Sequence, residues 1–323
     1  MFSDIVLWIV WFPLRLLIQR LPLKLVNFTG KLIGIVLYVF SKRKRYLMSR
    51  ELAFLFSKTS SLDQKTIKKM TYEGLQIFSK RQVENIYMGK SSTELLDRMV
   101  SIEGIENLDN ALKKNNGAIL LTAHFGSHML PPLALGFKGY KIHQLAGVPL
   151  IDKQSPMHRK IFKVRLRESE KLPINFILVG NYMRSVFNTL RKNEILFIAF
   201  DGGEGNRWFQ ADIFGHKAFF APGPFKLSLK TKAPILPTFI IRQRDDRHRL
   251  IIEPPFEFEL AKDEEGTLAL NIAKFAKTFE RYIKQYPCHY AMTLMRVEEL
   301  IQEGALETNL FQNVNRAQER KNI

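Results

Sequence analysis

The order of apolar and polar positions divides the chain into three parts. Residues 1–45 hold two apolar runs, Ile5–Leu14 and Leu32–Phe40, with basic residues between and after them. Over 46–113 apolar positions recur at helical spacing, as at Leu52, Leu55 and Phe56. We therefore predict a membrane-associating helical segment at 1–45 and a single α/β domain at 46–300, with a helical lead-in over 46–113. A polar tail follows at 301–323.

From residue 117 onward, short β-like runs alternate with helical stretches. This alternation is typical of a sheet layered with helices. The predicted fold class is therefore α/β, a central mixed sheet flanked by helices, with an N-terminal hydrophobic or amphipathic helical membrane anchor. The predicted strands are Gly117–Ala123, Lys141–Leu145, Ile174–Val179, Glu194–Asp201, Pro234–Arg242 and His248–Pro254. The predicted helices are His128–Phe137, Pro156–Glu170, Tyr182–Lys192, Gly223–Lys232 and Leu268–Gln285.

Basic charge is concentrated near the amino end. The 323 residues carry a net charge of +18, and nine Lys or Arg against one acid, Asp4, place +8 of it in residues 1–50. Such a charge favours an anionic partner. Nucleic acid is disfavoured, because no nucleic-acid motif is recognised and the apolar first forty residues would have no purpose. The lone Cys288 cannot form an intramolecular disulfide, so nothing requires an oxidising compartment.

The two N-terminal apolar runs are short for a membrane span. Arg15 ends the first run and Lys31 limits the second, whereas a spanning helix needs about 20 apolar residues. The pattern favours helices that lie in the membrane interface, with basic side chains reaching the head groups. Two alternatives stay open: an amphipathic helix pair packed on the domain, and a tilted single span.

Two predicted strands end in titratable side chains. His124 directly follows the run at 117–123, and Asp201 ends the run at 194–201. Ligands of open α/β sheets bind beyond the carboxyl ends of strands, so we expect both side chains to face one pocket. His124 is the candidate general base. His128 lies four residues on, but no third ligand is evident, so no metal site is predicted.

Two neighbouring features have a simpler interpretation. Ser127 lacks the sequence context of a nucleophile elbow and is interpreted as a helix cap. The glycine-rich turn after Asp201 is interpreted as the opening of the pocket, since Asp201 and Glu204 would repel phosphate.

Several blocks of the chain resemble the bacterial lipid A biosynthesis (late) acyltransferases, within the lysophospholipid/glycerolipid acyltransferase-like superfamily. His124-Phe-Gly resembles the start of their H-x4-[Asp/Glu] motif, and Asp201 resembles their strand-end Asp. The order and spacing of later blocks agree over most of residues 5–297. These blocks are 214–223, 232–237, 249–255 and 286–296.

The resemblance implies a membrane-associated O-acyltransferase at the cytoplasmic face of the bacterial inner membrane. A fatty acyl group would pass from acyl carrier protein (ACP) or CoA to a hydroxyl of a lipid or glycolipid, without metal or cofactor. It implies His124 and Asp201 as catalytic residues, with an oxyanion held by backbone N–H groups of 125–127. The implied substrate-binding residues are Arg165, Arg167, Gly126, Ser127, His128 and Glu204.

One position departs from the family motif. Met129 stands where the family has Glu or Asp, and its thioether cannot orient a histidine or stabilise an imidazolium. Three explanations follow: Asp201 or Glu204 supplies the acid, His124 works unassisted, or the protein is a non-catalytic membrane-bound, lipid-binding relative.

Overall fold

The structure, a computed structural model, describes residues 8–60, 62–147, 156–178, 183–202, 207–304, 306 and 309–311. Its strands are β1 Val100–Glu103, β2 Ala118–Thr122, β3 Ile142–Ala146, β4 Asn175–Leu178, β5 Ile195–Ala199, β6 Phe209–Ile213, β7 His216–Phe220, β8 Ile235–Arg242 and β9 His248–Ile252.

The first helices follow a π-helical turn at Val10–Leu14. They are α1 Arg15–Ile18, α2 Leu23–Phe40, α3 Lys42–Phe56, α4 Gln64–Tyr87, α5 Thr93–Met99 and α6 Ile105–Leu112. The later helices are α7 Leu130–Phe137, α8 Pro156–Ser169, α9 Met183–Arg191, α10 Gly223–Thr231, α11 Glu264–Gln285 and α12 Pro287–Gln302.

A seven-stranded mixed sheet forms the centre, in the order β1-β9-β8-β2-β5-β3-β4. β8, β2, β5, β3 and β4 run parallel; β9 is antiparallel to β8 and pairs in parallel with β1. β2 is buried along its whole length, as expected of a strand covered by helices on both faces. The predicted fold class is thus confirmed.

The register of β2 and β5 decides where the strand ends emerge. The two strands are parallel neighbours with Thr122 opposite Ala199, and the N–H of Phe200 donates to the carbonyl of Thr122 at 2.7 Å. The residues that follow each strand therefore leave the sheet side by side. His124 and Asp201 are those residues.

Four features differ from the sequence-based prediction. β1 lies inside the predicted helical lead-in, because this four-residue strand is fixed only by pairing with the distant β9. The antiparallel hairpin of β6 and β7 and the helix α12 were not predicted. α7 begins at Leu130 rather than His128, with prolines in its first turn, where a missing N–H costs nothing.

Helix α2 is the one helix among the described residues that is long and apolar enough to cross a membrane, by length and composition alone. Its 18 residues span about 27 Å. Its mean hydropathy is 1.6, and only 17% of that stretch is buried within the protein. The predicted N-terminal anchor therefore has a helix that fits it.

Candidate active site

His124 and Asp201 meet at the carboxyl ends of β2 and β5. The carboxylate oxygen Oδ1 of Asp201 lies 2.9 Å from His124 Nδ1 and also accepts the backbone N–H of His124 at 2.9 Å. The Asp201 side chain is only 3% exposed, whereas that of His124 is 42% exposed. The histidine is therefore oriented from behind by a buried carboxylate while part of its ring faces outward.

Two residues of α12 lie next to this pair. Tyr290 is buried, and burial together with the nearby charge of Asp201 raises the pKa of its hydroxyl well above the ordinary value. Thr293 Oγ1 donates to the carbonyl of His124. Among the described residues His124 Nε2 has no hydrogen-bond partner, so this nitrogen is free to take a proton. In the tautomer that carries its proton on Nδ1, Nε2 is the basic ring nitrogen.

The charge of Asp201 sets the acidity of the histidine. Burial lowers the pKa of His124, but the Asp201 charge and its hydrogen bond outweigh that effect, so the pKa of His124 is raised above its ordinary value. The arrangement stabilises an imidazolium, which is the state a general base reaches after taking a proton.

The loop after His124 is held in a conformation that requires glycine. Gly126 has φ +57°, and a Cβ there would lie 2.5 Å from the carbonyl oxygen of Ile240. Its N–H donates to the carbonyl of His289 at 3.1 Å, and the N–H of Phe125 donates to that of Ala123 at 2.6 Å. The expectation that the 125–127 N–H groups form an oxyanion site at a helix start is wrong for Phe125 and Gly126, since both donors are engaged.

A buried charged cluster lies beneath this loop and was missed by the sequence analysis. Glu84 of α4 contacts Arg242 Nη2 at 2.6 Å, His248 Nε2 at 2.8 Å and Ser127 Oγ at 2.8 Å. Ser127 is thus tied to a buried carboxylate, and its interpretation as a helix cap is wrong. The cap position of α7 is Met129, which makes no side-chain capping bond.

The carboxylate of Glu84 is kept charged by its partners. Burial acts to raise its pKa, but the charge of Arg242 and the hydrogen bonds from His248 and Ser127 hold the pKa well below its usual range. Burial also lowers the pKa of His248, so a neutral ring donates to Glu84. The loop that carries His124 therefore rests on an ion pair that is 1% and 4% exposed.

Glu84→Gln is expected to reduce the free energy of unfolding by roughly 3–5 kcal/mol, because it removes the 2.6 Å counter-charge of the buried Arg242, which then keeps only its 3.5 Å contact with Asp246. Denaturant unfolding followed by circular dichroism measures the loss. Asp97→Asn is the control, since Asp97 pairs with Lys138 at 2.7 Å at an exposed site and should contribute less than about 1 kcal/mol. Equal effects of the two variants would contradict the importance given to the buried cluster.

His128 and Met129 lie beside the dyad with different surroundings. The rings of His128 and His124 meet edge to face at 5.0 Å between centroids. Burial and the neighbouring charges of His124 and Arg81 lower the pKa of His128 well below its ordinary value, so this ring is neutral. Met129 Sδ lies 3.5 Å from Gln144 Nε2 of β3, and within the part of the chain that the structure describes no hydrogen bond joins Met129 to His124. His124 Nδ1 is already engaged by Asp201.

The remaining sequence candidates are not brought to the dyad by any described contact. Arg165 of α8 lies over the ring of Trp11 at 5.8 Å, and Arg167 is exposed. α8 contacts the N-terminal segment through Glu168, which pairs with Arg15. Glu204 lies outside the described residues. Substrate binding by these three side chains stays a prediction.

Arg81 and Glu84 could have been found from their spacing. They continue the buried stripe of α4 from Phe78 at intervals of three residues, so each places a charge on an apolar helix face. A charged side chain at such a buried position needs a partner of opposite charge. Buried ionisable groups with perturbed pKa values are concentrated at functional sites. Tyr290 and Thr293 carry no comparable signal, because only the packing of α12 brings them to the dyad.

The comparisons with known proteins agree with the family resemblance of the sequence blocks at 214–223, 232–237, 249–255 and 286–296. The model of the bacterial lipid A biosynthesis acyltransferase family matches residues 1–298. The chain is 24% identical over 289 residues to the lipid A biosynthesis palmitoleoyltransferase of Escherichia coli (strain K12), covering 88% of this chain and 89% of that protein. The lipid A biosynthesis acyltransferase of Shigella flexneri matches with the same identity and coverage. This confirms the resemblance, and the chain belongs to the bacterial lipid A biosynthesis acyltransferase family.

Proposed function

We propose that the protein transfers a fatty acyl group from an acyl thioester to a hydroxyl of a lipid A-type glycolipid, with His124 as general base. The single observation that carries the proposal is the 2.9 Å contact between His124 Nδ1 and Asp201 Oδ1. It supplies the carboxylate that position 129 lacks. Of the three explanations for Met129, we therefore favour substitution of the motif acid by Asp201.

The proposed reaction needs one proton shuttle. His124 Nε2 takes the proton of the acceptor hydroxyl as its oxygen attacks the thioester carbonyl, forming a tetrahedral intermediate. Collapse breaks the carbon–sulfur bond, and the imidazolium returns the proton to the leaving thiolate. The products are a lipid ester and a free thiol. Asp201 holds the Nδ1 proton and stabilises the charged ring between the two steps.

We propose that the basic charge and the exposed apolar surface of the protein bring both substrates to the active site. We propose that the N-terminal helices keep the enzyme at the cytoplasmic face of the inner membrane, where a glycolipid acceptor lies. A net charge of +18 would draw phosphorylated acceptors and an acidic carrier protein or CoA. No metal or redox cofactor enters the proposed chemistry.

The test is acyl transfer by purified protein in mixed micelles that contain a phosphorylated glucosamine-disaccharide lipid. Parallel reactions contain either acyl-ACP or acyl-CoA, and both the released thiol and the mass of the lipid product are measured. Acylated lipid in either reaction is the expected result, and the more active donor is thereby identified.

The alternative is a non-catalytic lipid-binding relative, which Met129 favours. That protein would bind the acceptor lipid and consume no thioester from either donor. Lipid binding without thiol release would therefore reject the proposed enzyme and support the alternative.

A further inference from the structure

The face of α2 that points away from the domain is apolar and exposed. Its residues recur at intervals of three or four and are 46–56% exposed: Leu25, Phe28, Leu32, Val36 and Val39. Phe40 continues this stripe at 79% exposure. Proteins in water rarely leave such a contiguous apolar surface uncovered. We call these six residues the α2 stripe.

The opposite face of α2 is bound closely to α4. Gly30 and Gly34 are buried, and a Cβ at either position would lie 2.7 Å from the Cα of Lys80 or Gln76, respectively. Larger side chains would therefore push the two helices apart. Since the partners on α4 descend by four residues as those on α2 ascend by four, the helices run antiparallel with their backbones in close approach.

Contact with α4 extends along most of α2. One turn beyond Gly34, the ring of Tyr38 packs edge to face on Tyr72 of α4 at 5.1 Å. α4 is itself part of the folded domain, because Lys80 Nζ pairs at 2.6 Å with Asp246, which lies between β8 and β9. A membrane-spanning α2 would pull this ion pair into hydrocarbon, at a high cost in free energy.

The charges around α2 match an anionic surface. The sequence from 8 to 50 contains no Asp or Glu, and exposed Lys24 and Lys31 lie on the flank of the stripe. Basic residues beside an apolar helix face are typical of helices that lie on anionic membranes. A second copy of the chain would bring the same positive charges together and is therefore disfavoured as the occupant.

We propose that α2 lies in the plane of the membrane surface, with its stripe in the acyl boundary of an anionic bilayer and both of its ends on the same side. The protein is thus attached to one leaflet by a helix that α4 holds flat. This inference rests on the membrane association proposed above and on no catalytic step.

Accessibility of the two helix ends tests the orientation. Arg20→Cys and Lys42→Cys are made separately in the full chain with Cys288→Ser, and inverted inner-membrane vesicles are treated with a membrane-impermeant maleimide. Both cysteines are expected to react equally with and without detergent. Protection of one end until detergent is added would establish a span and overturn the proposal. Because no acyl donor is present, this result is independent of whether the protein is an enzyme.

Vesicle binding tests the stripe itself. Leu32→Gln with Val36→Gln should weaken binding to phosphatidylethanolamine–phosphatidylglycerol vesicles at least about tenfold, since two apolar side chains no longer enter the membrane and the net charge is unchanged. Leu260→Gln, at a more exposed apolar residue outside the stripe (79% exposed), should bind like the wild type.

Two outcomes would reject the role of the stripe. One is equal vesicle binding by the double variant and the wild type. The other is a wild-type dimer in solution that the double variant makes monomeric without a change in vesicle binding, which would assign the stripe to a second copy. Circular dichroism checks that both variants fold.

Discussion

His124→Gln is expected to lower the rate of acyl transfer by roughly 10²–10⁴-fold, the usual contribution of a positioned general base. The amide has no nitrogen that can accept the proton of an acceptor hydroxyl and then return it to the leaving thiolate. The free energy of unfolding should change little, because the side chain is 42% exposed and makes one hydrogen bond through its ring. Thiol release from acyl-ACP or acyl-CoA with the lipid acceptor present measures the rate.

A second histidine–carboxylate pair in the same sheet provides the control. His143 Nε2 lies 2.8 Å from Glu194, but at the amino ends of β3 and β5, the edge opposite His124. His143→Gln should therefore retain acyl transfer within a few-fold of the wild type. Comparable losses in the two variants would show that the reaction does not depend on His124 in particular.

Asp201→Asn is expected to lower the plateau rate by roughly 10²–10⁴-fold and to shift the pH profile. In the wild type the Asp201 charge raises the pKa of His124, and a general base must be neutral. Activity should therefore rise with pH through a value above the ordinary histidine pKa of about 6.5. Without that charge the pKa of His124 falls, so the acid limb of the profile moves to lower pH. Rates of acyl transfer measured against pH give both quantities.

Met129→Leu is the matched variant for the motif position. The thioether of Met129 contacts Gln144 and has no described contact with His124, so this variant should keep its pH profile and most of its rate. An unshifted acid limb in Asp201→Asn, or a shifted one in Met129→Leu, would contradict the assignment of Asp201 as the orienting acid.

Local pattern was sufficient for most of the parallel part of the fold. The run at 117–123 is a strand-length segment in which Thr122 is the one polar side chain, and the observed β2 lies within it. The same holds for the predicted strand at 194–201 and β5. β1 was missed because four residues carry too little periodicity, and its conformation depends on a partner about 150 residues away.

The site residues also fall into two groups, those that local pattern predicts and those that only packing brings together. His124 and Asp201 could be selected because each directly follows a strongly apolar strand, and ligands gather at such ends. Glu84, Tyr290 and Thr293 come from helices that are distant in sequence. Only packing brings Glu84 to Ser127, Thr293 to the carbonyl of His124 and Tyr290 close to Asp201. The oxyanion expectation for Phe125 and Gly126 was wrong for the same reason, since His289, which accepts the N–H of Gly126, is 163 residues away.

The sequence by itself determined the alternation of strands and helices, the basic apolar amino end, the motif histidine and the loss of its usual acid at Met129. These features follow from residue type and short-range spacing, because both act between residues that are close together in the chain. The tertiary structure alone decided which acid faces His124, what holds the loop beneath it, and which side of α2 is free for lipid. Each of these depends on distances between segments that are far apart in the chain, and those distances are fixed by the register of β2 with β5 and the close packing of α2 on α4.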